Sequence, residues 1–94
     1  MSTYNGWTNY ETWRVNLEIF DNMTLEDFGY EDVKDAYDFD YLESVLKEYA
    51  EEIIELTSSP GLARDYALAF LSEVHWLQIA GRLIDDFEDK KEAA

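Results

Sequence analysis

Glu48, Glu51, Glu52 and Glu55 recur at i, i+3, i+4 and i+7, a spacing that lines four carboxylates along one side of a helix about 5–6 Å apart. Such a row can attract a cationic surface, hold a hard cation or move protons, and the surrounding residues separate these uses. Residues 21–32 have the length of an EF-hand loop, but Met23 and Leu25 stand at ligand positions and Glu26 stands where the sharp turn needs Gly. His75 is the single His and there is no Cys, so no nitrogen or thiolate ligand set and no Cys nucleophile can be assembled. Asp85 and Asp86 form a carboxylate pair of the type that does acid–base work, but neither a nucleophile motif nor a Gly-rich phosphate loop accompanies them. The residues therefore predict no enzyme, no metal, no cofactor and no small-molecule substrate. What remains is recognition by charge.

The chain carries 22 Asp and Glu against seven Lys and Arg, a net charge of −15 on 94 residues, yet 47% of its residues are hydrophobic and 16% aromatic. Acidic disordered tails lack the aromatics needed to offset chain entropy, so here the acid must coat a packed core. That coat opposes nucleic-acid binding, which draws most of its affinity from Lys and Arg on phosphates. The surfaces it attracts are basic, and DNA- and RNA-binding proteins are the commonest of those. The charge is also concentrated: residues 18–55 hold fourteen acidic residues and two basic ones, Lys34 and Lys47. Like charges at i, i+4 cost a few tenths of a kcal/mol per pair, which interleaved Lys would relieve. The row Glu48, Glu51, Glu52 and Glu55, supported by Asp35, Asp38 and Asp40, is the candidate partner-binding face, with solubility as the plainer explanation.

Positioning that row requires helices. Thr8 with Glu11 has the capping-box form, and Tyr10, Trp13, Leu17 and Phe20 predict an apolar stripe through about Asp21. Thr24 begins a short turn that Gly29 breaks, and Tyr30, Val33, Ala36 and Tyr37 suggest a short second helix. Asp38 or Asp40 can cap the clearest element, a helix of about 17 residues with Leu42, Val45, Leu46, Tyr49, Ile53 and Leu56 on one face. Ser58, Ser59 and Pro60 read as the next helix start. From Leu62 the chain is apolar on several faces, which predicts the most buried helix, or two helices if the chain breaks near Ser72. No alternating strand pattern competes. The expected fold is an all-α, single-domain compact bundle of four to five helices. Neither an apolar run of about 20 residues nor a leader-like start is present, and the absence of Cys suits a reducing compartment, so the expected location is the cytoplasm.

Trp7 and Tyr10 flank the first helix start and are either a staple that fixes it or a second candidate interface. Residues 5–17, NGWTNYETWRVNL, together with residues 71–80, LSEVHWLQIA, resemble a group of small proteins encoded by bacterial and archaeal viruses and plasmids. In charge and size the chain also resembles acidic anti-restriction and anti-CRISPR inhibitors. These resemblances imply a mobile-element protein acting in the host cytoplasm. The expectation is an inhibitor whose acidic face occupies the basic nucleic-acid-binding surface of a host defence protein. An acidic adaptor or assembly factor for another basic protein is the alternative, and a small hydrolase the third possibility.

Overall fold

Asn9, not Thr8, starts the first helix. The computed structural model describes residues 4–93, with side chains through residue 89. In it the Asn9 carboxamide oxygen accepts from the Thr12 amide at 2.9 Å and from the Thr12 hydroxyl at 2.6 Å. Thr8 is engaged elsewhere: its amide donates to Gln78 Oε1 at 2.8 Å. Helix α1, Tyr10–Val15, runs straight into a π-helical turn, Asn16–Phe20. Arg82 secures that widened turn, donating to Asn16 Oδ1 at 3.1 Å and to the Phe20 carbonyl at 2.6 Å.

The buried face of α1 differs from the expected stripe before the π turn begins. Thr12, Val15, Asn16 and Phe20 point inward, whereas Tyr10 and Leu17 of the expected stripe are exposed and Trp13 is half-buried. A π turn uses more residues than an α turn, so the 3.6-residue register is lost there. Tyr10 and Trp13 instead pack with Tyr4 in a lateral cluster, with ring centroids 4.8–5.8 Å apart.

Thr24 and Asp27 form a reciprocal capping box over the 3₁₀ turn Leu25–Phe28, which ends at Gly29 with φ 89°, a left-handed value that favours Gly. The short second helix is another 3₁₀ turn, Val33–Tyr37, capped by Asp32. Asp38 then caps α2, Phe39–Thr57, accepting from the Tyr41 amide at 3.2 Å. Leu42, Leu46 and Ala50 of α2 are fully buried, while Leu56 is 78% exposed because the last turn runs beyond the core.

The Ser58–Pro60 start is not used. Ser58 closes α2, its hydroxyl donating back to the Ile54 carbonyl. Helix α3, Leu62–Leu71, begins after Gly61 at φ 150° with no side-chain cap. The break near Ser72 is real, but Ser72 terminates α3 and does not cap α4, Trp76–Ala93. Burial also differs along this stretch. Leu62 and Tyr66 of α3 are 65% and 69% exposed, and it is α4 that supplies the interior residues Ile79, Ala80, Leu83, Ile84 and Phe87.

The fold is an all-α bundle. Among the described residues, four α-helices and three shorter helical turns enclose one hydrophobic core, with α2 against α4 and α3 against α2. No described helix is long and apolar enough to cross a membrane. Trp76 lies in the core, whereas Trp13 is half-buried in the lateral cluster with Tyr4 and Tyr10. Trp76→Ala should therefore cost about 3 kcal/mol or more and Trp13→Ala clearly less, read as shifts in the urea midpoint. Equal shifts would mean that Trp13 is as deeply packed as Trp76.

Candidate functional site

Nineteen residues at 1.5 Å rise make α2 a rod of about 28 Å. Glu48, Glu52 and Glu55 stand exposed on its outer side, and Glu51 is half-buried, so the row is not uniformly solvent-facing as its spacing suggested. Asp35, Asp38 and Asp40 are exposed around the N-terminal end of the rod. Asp38 has a structural duty as the α2 cap. Among the described residues, no ion pair or hydrogen bond engages the side chains of Glu48, Glu51, Glu52 or Glu55. These carboxylates are held on a rigid element and left uncompensated.

The cations explain why. Arg14 pairs with Glu18 at 3.0 Å and Arg82 with Asp86 at 2.7 Å. Arg64 turns toward the C-terminal end of α2, donating to the carbonyls of Glu55 at 2.8 Å and Ser58 at 2.5 Å. Carbonyls at a helix C-terminus carry partial negative charge, and α2 has no basic residue in its last turn, so Arg64 fills that role from α3. Each of the three guanidinium groups is thus engaged away from the Glu row, Arg14 at the surface and Arg64 and Arg82 on backbone carbonyls. Lys34 and Lys47 are exposed, and among the described residues Lys47 on α2 makes no ion pair despite lying i, i+4 from Glu43 and Glu51.

Trp7 and Tyr10 divide between the two readings. Tyr4 and Trp7 exchange backbone hydrogen bonds of 2.7 Å around a tight turn in which Asn5 and Gly6 have φ of 48° and 87°. Trp7 packs against the core as a staple, while Tyr10 stays at the surface. Gln78 donates to the Gly6 carbonyl at 3.2 Å, Asn9 donates to the Glu73 carbonyl at 2.8 Å, and the His75 amide donates to Thr12 Oγ1 at 2.8 Å. With the Thr8–Gln78 bond, these join the two sequence-distant motifs into one polar seam. The ring of His75 is exposed, its Nδ1 3.4 Å from Thr8 Oγ1.

Sequence reading missed Thr12 and Gln78 as the residues that close the seam. Thr12→Val keeps the shape but removes the acceptor of the His75 amide. It should cost about 1–3 kcal/mol, checked by thermal unfolding and by faster exchange of the His75 amide. Unchanged stability would mean that the seam is dispensable.

Among the described residues, grooves lie on two sides of the bundle. One, of about 340 Å³, is apolar and lies between α1 with its π turn, the end of α2, and α3. The other, of about 420 Å³, lies beside Trp7 and includes Gln78, Gly81 and Asp85. Asp85 and Asp86 do not act as a free pair, since Asp86 is held by Arg82. Among the described residues, no group of three or more His, Asp or Glu side chains is arranged to hold a metal.

The phenol of Tyr37 donates to Glu88, joining the turn before α2 to α4. That hydrogen bond, with some burial and nearby carboxylates, raises its pKa above the ordinary 10.0. Tyr30 is also raised, chiefly by burial and then by Tyr41 and Asp38. A raised phenol pKa favours the neutral form in the fold. The stability it contributes is complete below pH 10 and is lost as pH rises through the folded value. The urea midpoint should accordingly fall from about pH 9 to about pH 11, and less so in Tyr37→Phe. A midpoint that rises over this interval would reverse the assignment.

No curated protein and no solved structure matches the chain. The sequence model of DUF7249, a family of unknown function, matches residues 1–88, and the chain belongs to that family.

Proposed function

We propose that this protein is an inhibitor encoded by a phage or related mobile element, which binds the basic nucleic-acid-binding surface of a host defence protein through its acidic α2 face. The observation that carries the reading is the row Glu48, Glu51, Glu52 and Glu55, uncompensated on a rigid helix while every described Arg is committed elsewhere. Carboxylates about 5–6 Å apart along a rod are spaced comparably to the phosphates of a nucleic-acid strand. A basic cleft shaped for nucleic acid meets this row with its own charge pattern. The resemblance of the two motif segments to virus- and plasmid-encoded proteins supports the setting.

The test has a cellular and a biochemical arm. Phage are plated on isogenic hosts with and without a given CRISPR–Cas or restriction system, and expression of this chain should restore plaques on a defended host. With the purified defence nuclease, duplex DNA should displace the bound chain. Plaque counts unchanged across such systems, or a stable ternary complex with DNA, would defeat the proposal.

A further inference from the structure

We infer that the apolar groove beside α3 receives the apolar face of a basic amphipathic helix of the partner, an inference that rests on the acidic-face reading above. The groove is lined by Ile19, Ile54, Ala67 and Phe70 over the buried Val15 and Leu71, and its exposed lining is almost wholly apolar. Tyr66 stands at the rim, and Leu62 lies one turn earlier on the same side of α3, both largely exposed. Ile19 reaches the groove from the π turn, and π turns recur where a helix serves a functional site.

The walls decide the form of the occupant. Every flanking element is helical, with its backbone hydrogen bonds made internally, so no strand edge is available for an extended peptide. Apolar lining without polar partners suits a helix that lays down anchors at i, i+3, i+4 and i+7. Charge decides its sign. Glu51 sits one turn before Ile54 on α2 and Asp65 precedes Tyr66 on α3, both outside the Arg14–Glu18 pair on the rim, whose charges offset each other. Of the nearby cations, Arg14 is paired with Glu18 and Arg64 is turned to the α2 carbonyls. An acidic helix, or a second copy of this chain with its net charge of −15, meets repulsion there, whereas a Lys- or Arg-flanked helix is drawn in. The groove thus adds an apolar anchor to the charged face on the same helix α2.

The test uses the full chain and three synthetic peptides of about 18 residues, long enough for a helix to be marginally stable alone. The first is a Leu/Lys helix with Leu at i, i+3, i+4 and i+7. The second has Glu in place of Lys, and the third has the first composition with the Leu positions scrambled. The Leu/Lys peptide should shift the methyl resonances of Ile19, Ile54 and Leu71, and Ala67→Trp and Tyr66→Ala should each weaken it about tenfold or more. Tyr66 is exposed, so its replacement keeps the fold if the filled groove of Ala67→Trp does not. Methyl shifts outside the groove, equal binding of the Glu or scrambled peptide, or unaltered affinity in both variants would overturn the inference. So would a dimer of the free chain in sedimentation that Ala67→Trp dissociates, since the occupant would then be a second copy. If charge reversal at Glu48, Glu51, Glu52 and Glu55 abolishes partner binding while the groove variants do not, the groove fails and the acidic face stands. The opposite pattern defeats the acidic-face reading alone.

Discussion

Replacing Glu48, Glu51, Glu52 and Glu55 together by Lys is expected to abolish partner binding while leaving α2 folded. Each reversal changes the charge by two, so the net charge moves by eight from −15. Lys matches Glu as a helix former, and the half-buried Glu51 can be replaced by a Lys whose aliphatic stem covers the same surface. Stability should stay within about 1 kcal/mol, because none of the four side chains has a partner among the described residues to lose. A loss of about 0.7 kcal/mol per reversed charge already lowers affinity by about 100-fold. The wild-type complex should also weaken steeply with salt, since screening acts over about 10 Å at 0.1 M. Isothermal calorimetry against the partner, with circular dichroism as the folding control, measures both. A folded variant that binds as tightly as the wild type would remove the acidic row from the interface.

Phe20→Ala should be the most damaging single change in the core. Phe20 is fully buried, with ring centroids 6.2 Å from Phe28, 6.1 Å from Tyr49 and 6.4 Å from Trp76. Its carbonyl also receives the Arg82 guanidinium that holds the π turn. Emptying this position should cost about 3–5 kcal/mol, a large share of the roughly 5–15 kcal/mol that stabilises a domain. Urea unfolding should show a much lower midpoint or a variant already partly unfolded without denaturant. An unchanged midpoint would mean that Phe20 is not at the junction of these elements.

Helical character, the approximate extent of α2 and a cap at Asp38 or Asp40 were legible because each depends on neighbours within a few residues, and the structure uses Asp38. A capping side chain needs only the next turn, and the Leu42–Leu46 spacing needs only one helix. Thr8 and Ser58 misled for the same reason. Both have the local chemistry of a cap, but the Thr8 amide donates to Gln78 while Asn9 takes the cap, and the Ser58 hydroxyl is engaged by the Ile54 carbonyl and Arg64. Periodicity puts Leu56 on the buried face and apolar neighbours put Leu62 in the most buried helix, but neither signal shows where a helix runs past its neighbours.

By itself the sequence determined an all-helical, strongly acidic chain with a row of carboxylates on its longest early helix, because period and charge are properties of the order of residues. Only the tertiary structure decided that Arg64 turns to the α2 carbonyls and Arg82 to the π turn, which leaves the row uncompensated. Tertiary structure also joined residues 5–17 to residues 71–80 through Thr12 and Gln78, re-registered the first helix at a π turn, and opened an apolar groove beside it. Each of these depends on contacts between segments distant in the chain, and so on how four helices share one core.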